Sequence, residues 1–287
     1  MNRTISAAVT ALMLVAGLTA GPAAAEGGPE NMPGDVPGVT IPANKDDFLI
    51  FLLAGQSNMA GRGGLSEADQ AVNPRILMLN REGEWVHARD PVHYDKPIAG
   101  VGLARSFAAE LADAAMTVTI GLVPAACGGS PIATWEPGAY HEQTDSHPYD
   151  DAIERTRRAL QDGILAGILW HQGESDARRN TGPVYKDKLV ALAERLRGDL
   201  EAPDAAFIIG QLGHFEGKPW NEARQTINEA HIEAAREIDH AGFVSSYGLR
   251  AKDDNTHFNT VSLVDFGKRY ARKYLQVMSE ANRPEEY

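Results

Sequence analysis

Phe48 to Gly63 reads FLIFLLAGQSNMAGRG, an uncharged apolar run that ends on Gly55, Gln56, Ser57 and Asn58. Seven successive residues from Phe48 to Ala54 without a polar side chain predict a strand buried on both faces. Such a strand belongs in the middle of an α/β sheet. Its carboxyl end delivers a single hydroxyl, Ser57, to the edge where open α/β sheets keep their ligand sites. A serine is a weak nucleophile until a base takes its proton and donors receive the oxyanion, so the reading needs partners elsewhere in the chain.

One partner lies about two hundred residues downstream, in Asp253-Asp254-Asn255-Thr256-His257-Phe258. Asp254 and His257 are three residues apart, which lets a carboxylate reach the imidazole Nδ1 and leaves Nε2 facing outward. Asp253 is the rival orienting acid at a separation of four. A second partner is Gly167 to Asp176, GILWHQGESD, where the apolar strand Ile164 to Trp170 ends in polar residues and Gln172 offers an amide donor. Between these, the strand from Thr117 to Ala125 meets Ala126-Cys127-Gly128-Gly129-Ser130, and paired glycines let a backbone N–H approach a reacting atom closely.

These four segments, GQSNM at Gly55 to Met59, ACGGSPIATW at Ala126 to Trp135, WHQGESD at Trp170 to Asp176 and DNTH at Asp254 to His257, resemble the four blocks of the SGNH hydrolase superfamily. More narrowly they resemble its carbohydrate esterase family six and sialic-acid-specific acetylesterase branch. The resemblance implies a flavodoxin-like three-layer α/β/α sandwich around a central parallel sheet, hydrolysis of acetyl esters on sugars, and no cofactor. It assigns Ser57 as nucleophile, His257 as base and Asp254 as its orienting acid. The Ser57 N–H, a block-two glycine N–H and Gln172 become the oxyanion hole. Gln172 stands where the wider superfamily has Asn, one methylene shorter. Of Gly128 and Gly129 the second is favoured because it precedes Ser130, matching a glycine followed by a polar residue in the superfamily pattern.

The pattern outside the blocks agrees with that fold. Short apolar runs at Arg75 to Leu79, Thr117 to Pro124, Ala205 to Gln211 and Gly242 to Tyr247 alternate with helical segments. The helices are expected at Gly102 to Ala115, Asp151 to Asp162, from Pro183 onward with Leu189, Leu192, Leu196 and Leu200 in one stripe, at Trp220 to Ile238, and at Val261 to Ser279. Strands alternating with helices of this length imply parallel pairing, right-handed crossovers and helices on both sheet faces.

Met1 to Ala25 has a basic start at Arg3, an apolar run from Ala7 to Ala20 and Ala23-Ala24-Ala25 before Glu26, and reads as a secretory signal cleaved near Ala25. The run is shorter than the ~20 residues of a spanning helix, so no stable membrane anchor is expected. Glu26 to Asp46, rich in Gly and Pro, reads as a flexible leader, and Asp47 to Tyr287 as one esterase domain. The expected location is secreted or periplasmic. A formal charge of −12 over 287 residues disfavours nucleic acid and anionic membranes and suits a neutral or weakly charged carbohydrate. The single cysteine, Cys127, forbids an intrachain disulfide and reads as a small buried hydrophobe.

Other residues invite chemistry and have plainer readings. His171 alternates away from Gln172 along its strand and reads as structural. His141, Asp145, His147 and Asp150 match no zinc or calcium spacing and read as a polar rim loop, so no metal is assigned. Glu174 reads as a brace of the strand-end loop. Among Trp135, Trp170 and Trp220, Trp135 is the candidate platform for a sugar ring. A lipase or thioesterase with the same machinery, and a sugar-binding module on an inactive esterase frame, remain as alternatives.

Overall fold

The computed structural model describes residues 38–67, 71–179 and 181–281. The signal-peptide reading of Met1 to Ala25 and most of the leader reading of Glu26 to Asp46 lie outside them. Regular structure starts at a 3-10 turn, Lys45–Asp47, in which the Asp46 N–H donates to the Asn44 side chain and the Lys45 ammonium donates to the Leu160 carbonyl at 2.9 Å.

The apolar run forms β1, Phe48–Gly55, and all eight of its residues are buried. Around it stand β2 (Ile76–Leu79), β3 (Trp85–His87), β4 (Thr119–Pro124), β5 (Ile164–His171), β6 (Ala206–Gly210) and β7 (Ala241–Val244). The seven-stranded sheet has the order β3-β2-β4-β1-β5-β6-β7. Every pairing is parallel except β2 with β3. That edge strand follows β2 through a tight turn in which Gly83 takes φ 76°, and it is too short to show a period in the sequence. The sheet is therefore mixed and mostly parallel.

Because successive side chains on a strand point to opposite faces, β1 supplies both cores. Leu49, Phe51 and Leu53 pack with Phe107 and Leu111 of α2 (Ala104–Ala114) and with Leu263, Phe266, Tyr270 and Tyr274 of α7 (Thr260–Ala281). Phe48, Ile50, Leu52 and Ala54 pack on the other face with α3 (Pro148–Ala159), α5 (Gly182–Asp199) and α6 (Glu222–Glu237). Two short helices, α1 (Ser57–Ala60) and α4 (Glu174–Arg179), follow β1 and β5. The α3 helix begins at Pro148, three residues before the expected start, since a proline at the first helical position forfeits no hydrogen bond. Among the described residues no helix is long and apolar enough to cross a membrane.

The chain leaves β1 toward β4 on one side and later returns to β5 on the other, so the order reverses at β1. The loops after β1, β4 and β5 diverge there and leave a crevice at the carboxyl edge.

Phe51 meets Phe107 and Tyr274 edge-on, with ring centroids 4.8 and 5.0 Å away. Phe51→Ala should cost about 3 to 5 kcal/mol, read from the urea midpoint at constant m-value. The Tyr274 hydroxyl is buried and finds no hydrogen-bond partner among the described residues. Tyr274→Phe should therefore be neutral or stabilising, and a loss above ~1 kcal/mol would show that the hydroxyl is satisfied in solution.

Candidate active site

Gly55 ends β1 with φ 132°, and a Cβ built on it would lie 2.2 Å from the His171 carbonyl oxygen. Only glycine permits that approach. The next amide, Gln56 N–H, donates to the same carbonyl at 2.9 Å, which stitches the ends of β1 and β5 together. The chain then turns directly into α1 with Ser57 at its first position, 8% exposed.

His257 arrives from the opposite side. Its Nε2 lies 3.0 Å from Ser57 Oγ and its Nδ1 lies 2.7 Å from Asp254 Oδ2. The other carboxylate oxygen, Oδ1, accepts the N–H groups of Thr256 at 2.8 Å and His257 at 2.9 Å. Burial alone would raise the Asp254 pKa, but the His257 imidazole and these two N–H groups prevail and hold it down at about 2. Asp254 is thus the acid brought to the imidazole. Asp253 enters this loop's hydrogen bonds only through its carbonyl, which accepts from Asn255.

The block-two turn separates its glycines. Gly128 N–H donates to Asp95 Oδ2 at 2.9 Å, and Asp95 is held by Arg62 in a nearly fully buried ion pair at 2.6 Å. Gly129, at φ 90°, keeps an N–H with no acceptor among the described residues, and its carbonyl accepts the Ser175 hydroxyl at 2.8 Å. Ser57, at the start of α1, likewise has an N–H that the helix cannot use. Those two N–H groups remain open at the carboxyl edge.

Gln172 does not. It is fully buried, and its Nε2 lies 2.6 Å from Asp176 Oδ2, 2.9 Å from the Ser130 carbonyl and 3.1 Å from Gln56 Oε1. Its Oε1 accepts the Tyr185 hydroxyl at 2.8 Å. Two N–H groups facing three acceptors leave none for an oxyanion, so the sequence expectation for Gln172 is corrected: its amide fastens the loops beneath the crevice. Trp135 needs the same correction. It is fully buried, packs edge-on against Trp170 at 5.1 Å and donates to Ser130 Oγ at 3.2 Å, so no sugar ring can reach its face.

The sequence reading missed a clamp around His257. Asn58 Nδ2 donates to the Thr256 carbonyl at 3.2 Å, and Asn58 Oδ1 accepts from Phe258 N–H at 3.1 Å. One side chain therefore grips the backbone on both sides of the imidazole. Glu174 Oε1 accepts from the same Nδ2 at 2.6 Å and fixes which way the amide faces. Both residues stand inside quoted blocks, yet nothing in their spacing announces this contact.

The remaining candidates do separate things. His171 is buried against Phe258 and Phe266, and burial lowers its pKa. Cys127 is buried, which raises its thiol pKa. His141 lies 3.3 Å from the Gly128 carbonyl, Asp145 accepts from Tyr140 and Asp150 accepts from Gly138 N–H. Among the described residues no three His, Cys, Asp or Glu side chains are grouped to hold a metal ion.

The carbohydrate esterase, sialic acid-specific acetylesterase family matches residues 47–276. A probable carbohydrate esterase of Arabidopsis thaliana is 32% identical over 256 residues, which cover 82% of this chain and 92% of the plant protein. The X-ray structure from the same plant locus superposes with a TM-score of 0.70 at 31% identity, covering 79% of this chain and 98% of that one. The fold is shared with NanS, at TM-score 0.65 and 22% identity, covering 81% of this chain and 98% of NanS. It is shared also with a carbohydrate acetylesterase from Xanthomonas citri, at TM-score 0.61 and 21% identity, covering 80% of this chain and 57% of that one.

Two measurements test this geometry. Gln172→Ala should lower thermal stability together with kcat, because Asp176 and Tyr185 lose a buried partner; a kcat loss of ~10² to 10³ at unchanged stability would return Gln172 to the oxyanion hole. In His257→Ala the carboxyl of Asp254, followed by carbon NMR, should titrate above about 2 and part of the way toward the usual ~3.9, since the two N–H bonds remain. The linked stability is present above ~3.9 and lost as the pH falls through about 2, so His257→Ala should flatten that acid limb. An unmoved titration would mean that the imidazole does not hold the carboxylate.

Proposed function

The chain belongs to the carbohydrate esterase, sialic acid-specific acetylesterase family and is a carbohydrate esterase, and on that premise we propose that it removes O-acetyl groups from a carbohydrate through an acetyl-enzyme on Ser57. The observation that carries the proposal is His257, seated 3.0 Å from the Ser57 hydroxyl and 2.7 Å from the Asp254 carboxylate. Neutral His257 takes the Ser57 proton as Oγ attacks the acetyl carbonyl. The N–H groups of Ser57 and Gly129 receive the oxyanion, and Asp254 steadies the imidazolium. His257 then hands the proton to the departing sugar oxygen, which breaks the ester bond and leaves acetyl on Ser57. Water, deprotonated by His257, attacks that acetyl group; acetate leaves and Ser57 recovers its proton.

Acetylated xylan and acetylated sialic acid are the substrates the reading admits. In the same proposal Met1 to Ala25 directs export to the periplasm or beyond and is cleaved near Ala25, and Asp47 to Tyr287 is the catalytic domain.

Ser57→Ala should lower kcat by ~10⁴ to 10⁶, about 5 to 8 kcal/mol of barrier, without unfolding the protein. p-Nitrophenyl acetate should be cleaved faster than the butyrate and octanoate, and EDTA should change none of the three rates. Acetate release from acetylated xylan against 9-O-acetyl sialic acid identifies the sugar. A Ser57→Ala protein retaining a tenth of the activity would end the assignment, and a preference for octanoate would turn the reading toward a lipase.

A further inference from the structure

With Gln172 turned inward, the proposed oxyanion is left the N–H groups of Ser57 and Gly129, and one further amide stands beside them. Gln143 belongs to the 3-10 turn Glu142–Thr144, in the loop between β4 and α3. That loop is closed on itself and fastened to block two. His141 N–H donates to the Ser146 carbonyl at 2.8 Å, and the buried His141 ring lies 3.3 Å from the Gly128 carbonyl. The exposed Gln143 side chain is thereby carried over Gly129: a Cβ built on that glycine would stand 2.5 Å from Gln143 Oε1 and 3.2 Å from its Nε2.

The amide has one orientation available. Lys96 Nζ reaches it at 3.0 Å, and an ammonium can only donate, so the atom it meets is the oxygen. Nε2 is left as the free end, and among the described residues it finds no acceptor. Lys96 is placed by block two in its turn. Its Cε would lie 3.4 Å from a Cβ on Gly128, while its neighbour Asp95 is taken by Arg62 and the Gly128 N–H. The ammonium polarises the Gln143 carbonyl, which strengthens the N–H donors at the other end of the amide. The Gly129 nitrogen is two covalent bonds from the Cβ position, so Gln143 Nε2 is no more than about 5.7 Å from it. Two hydrogen bonds of ~2.9 Å that meet on one oxygen span that distance.

We propose that Gln143 donates from Nε2 to the oxyanion formed on the acetyl carbonyl, as the third donor beside the Ser57 and Gly129 N–H groups, and that Lys96 is the positioning residue that turns its amide. The inference rests on the esterase reading. It moves the side-chain donor from Gln172, inside a quoted block, to a residue outside all four. It also gives Gly129 a second reason to lack a side chain, since a Cβ there would take the Gln143 seat. Full negative charge on the carbonyl oxygen exists only at and around the tetrahedral intermediate, so the contact acts on kcat and leaves substrate binding alone.

Gln143→Glu separates donation from support. The carboxylate keeps the length of the side chain and the bond to Lys96, and it replaces the N–H donor with an acceptor that repels the oxyanion. With p-nitrophenyl acetate, on the plateau of each pH profile, kcat should fall ~10² in Gln143→Ala and at least as far in Gln143→Glu, with KM within about threefold of wild type. Thermal unfolding should be unchanged in both. Lys96→Met should lower kcat about tenfold in the wild-type background and add little in Gln143→Ala, because it acts through the same amide. Full kcat in Gln143→Glu, or a loss confined to KM, would overturn the donor. An equal loss from Lys96→Met in both backgrounds would overturn the positioning role. A wild-type protein that cleaves no p-nitrophenyl acetate ends the esterase reading and this inference with it; a working wild-type esterase beside a fully active Gln143→Glu ends this inference alone.

Discussion

The active-site crevice depends on a contact with no side chain, the approach of Gly55 to the His171 carbonyl. A Cβ at Gly55 would stand 2.2 Å from that oxygen, so any other residue would force β1 and β5 apart where both strands end. With glycine there, the Gln56 amide closes on the same carbonyl at 2.9 Å and the chain turns at once into the helix that begins with Ser57. The serine is thereby fixed relative to the block-three loop by backbone alone. A hydroxyl that must meet an imidazole within hydrogen-bond distance gains from such an anchor, because strand ends move less than loops.

Below this anchor the polar groups form a unit. Gln56, Gln172, Asp176, Ser130 and Tyr185 are joined by bonds of 2.6 to 3.2 Å, and the Tyr185 hydroxyl also lies 3.1 Å from His231 Nε2. Burial drives the His231 pKa down to about 3, so it stays neutral and its Nε2 can serve Tyr185 as donor or acceptor. In so dry a place each polar atom requires its partner, and the network resists partial rearrangement. This stiffness presents the Gly129 turn to the proposed reaction while Gln172 remains out of sight.

Much of this was legible in the residues, for definite reasons. A strand buried on both faces must be apolar throughout, so β1 and β5 announced themselves, as did the helices with one leucine or aromatic stripe. The Ser57, Asp254 and His257 meeting followed from segment order, because parallel strands send their carboxyl ends to one edge. Gln172 was misplaced because an amide beside a strand end looks alike whether its N–H groups face a crevice or a buried Asp176. Trp135 was misplaced because indole suits a core as well as a sugar platform. The antiparallel β3 is three residues long and has no room for a period.

The His257 loop has little regular structure of its own and nevertheless holds its ring in place. Asn58 grips the carbonyl before it and the N–H after it, while Lys252 N–H donates to the His257 carbonyl at 2.8 Å. The Lys252 ammonium reaches the Arg62 carbonyl at 2.6 Å, and Arg62 also anchors Asp95 under Gly128. Residues 58 to 62 thus fasten both the loop that carries His257 and the turn that carries Gly129. The proposed nucleophile and the ties to its partners share one short segment after β1, so a small displacement of that segment carries the groups along together and preserves the distances between them. In an active site assembled from loops two hundred residues apart, the constraint that matters is relative position, and this chain secures it from the serine's own side.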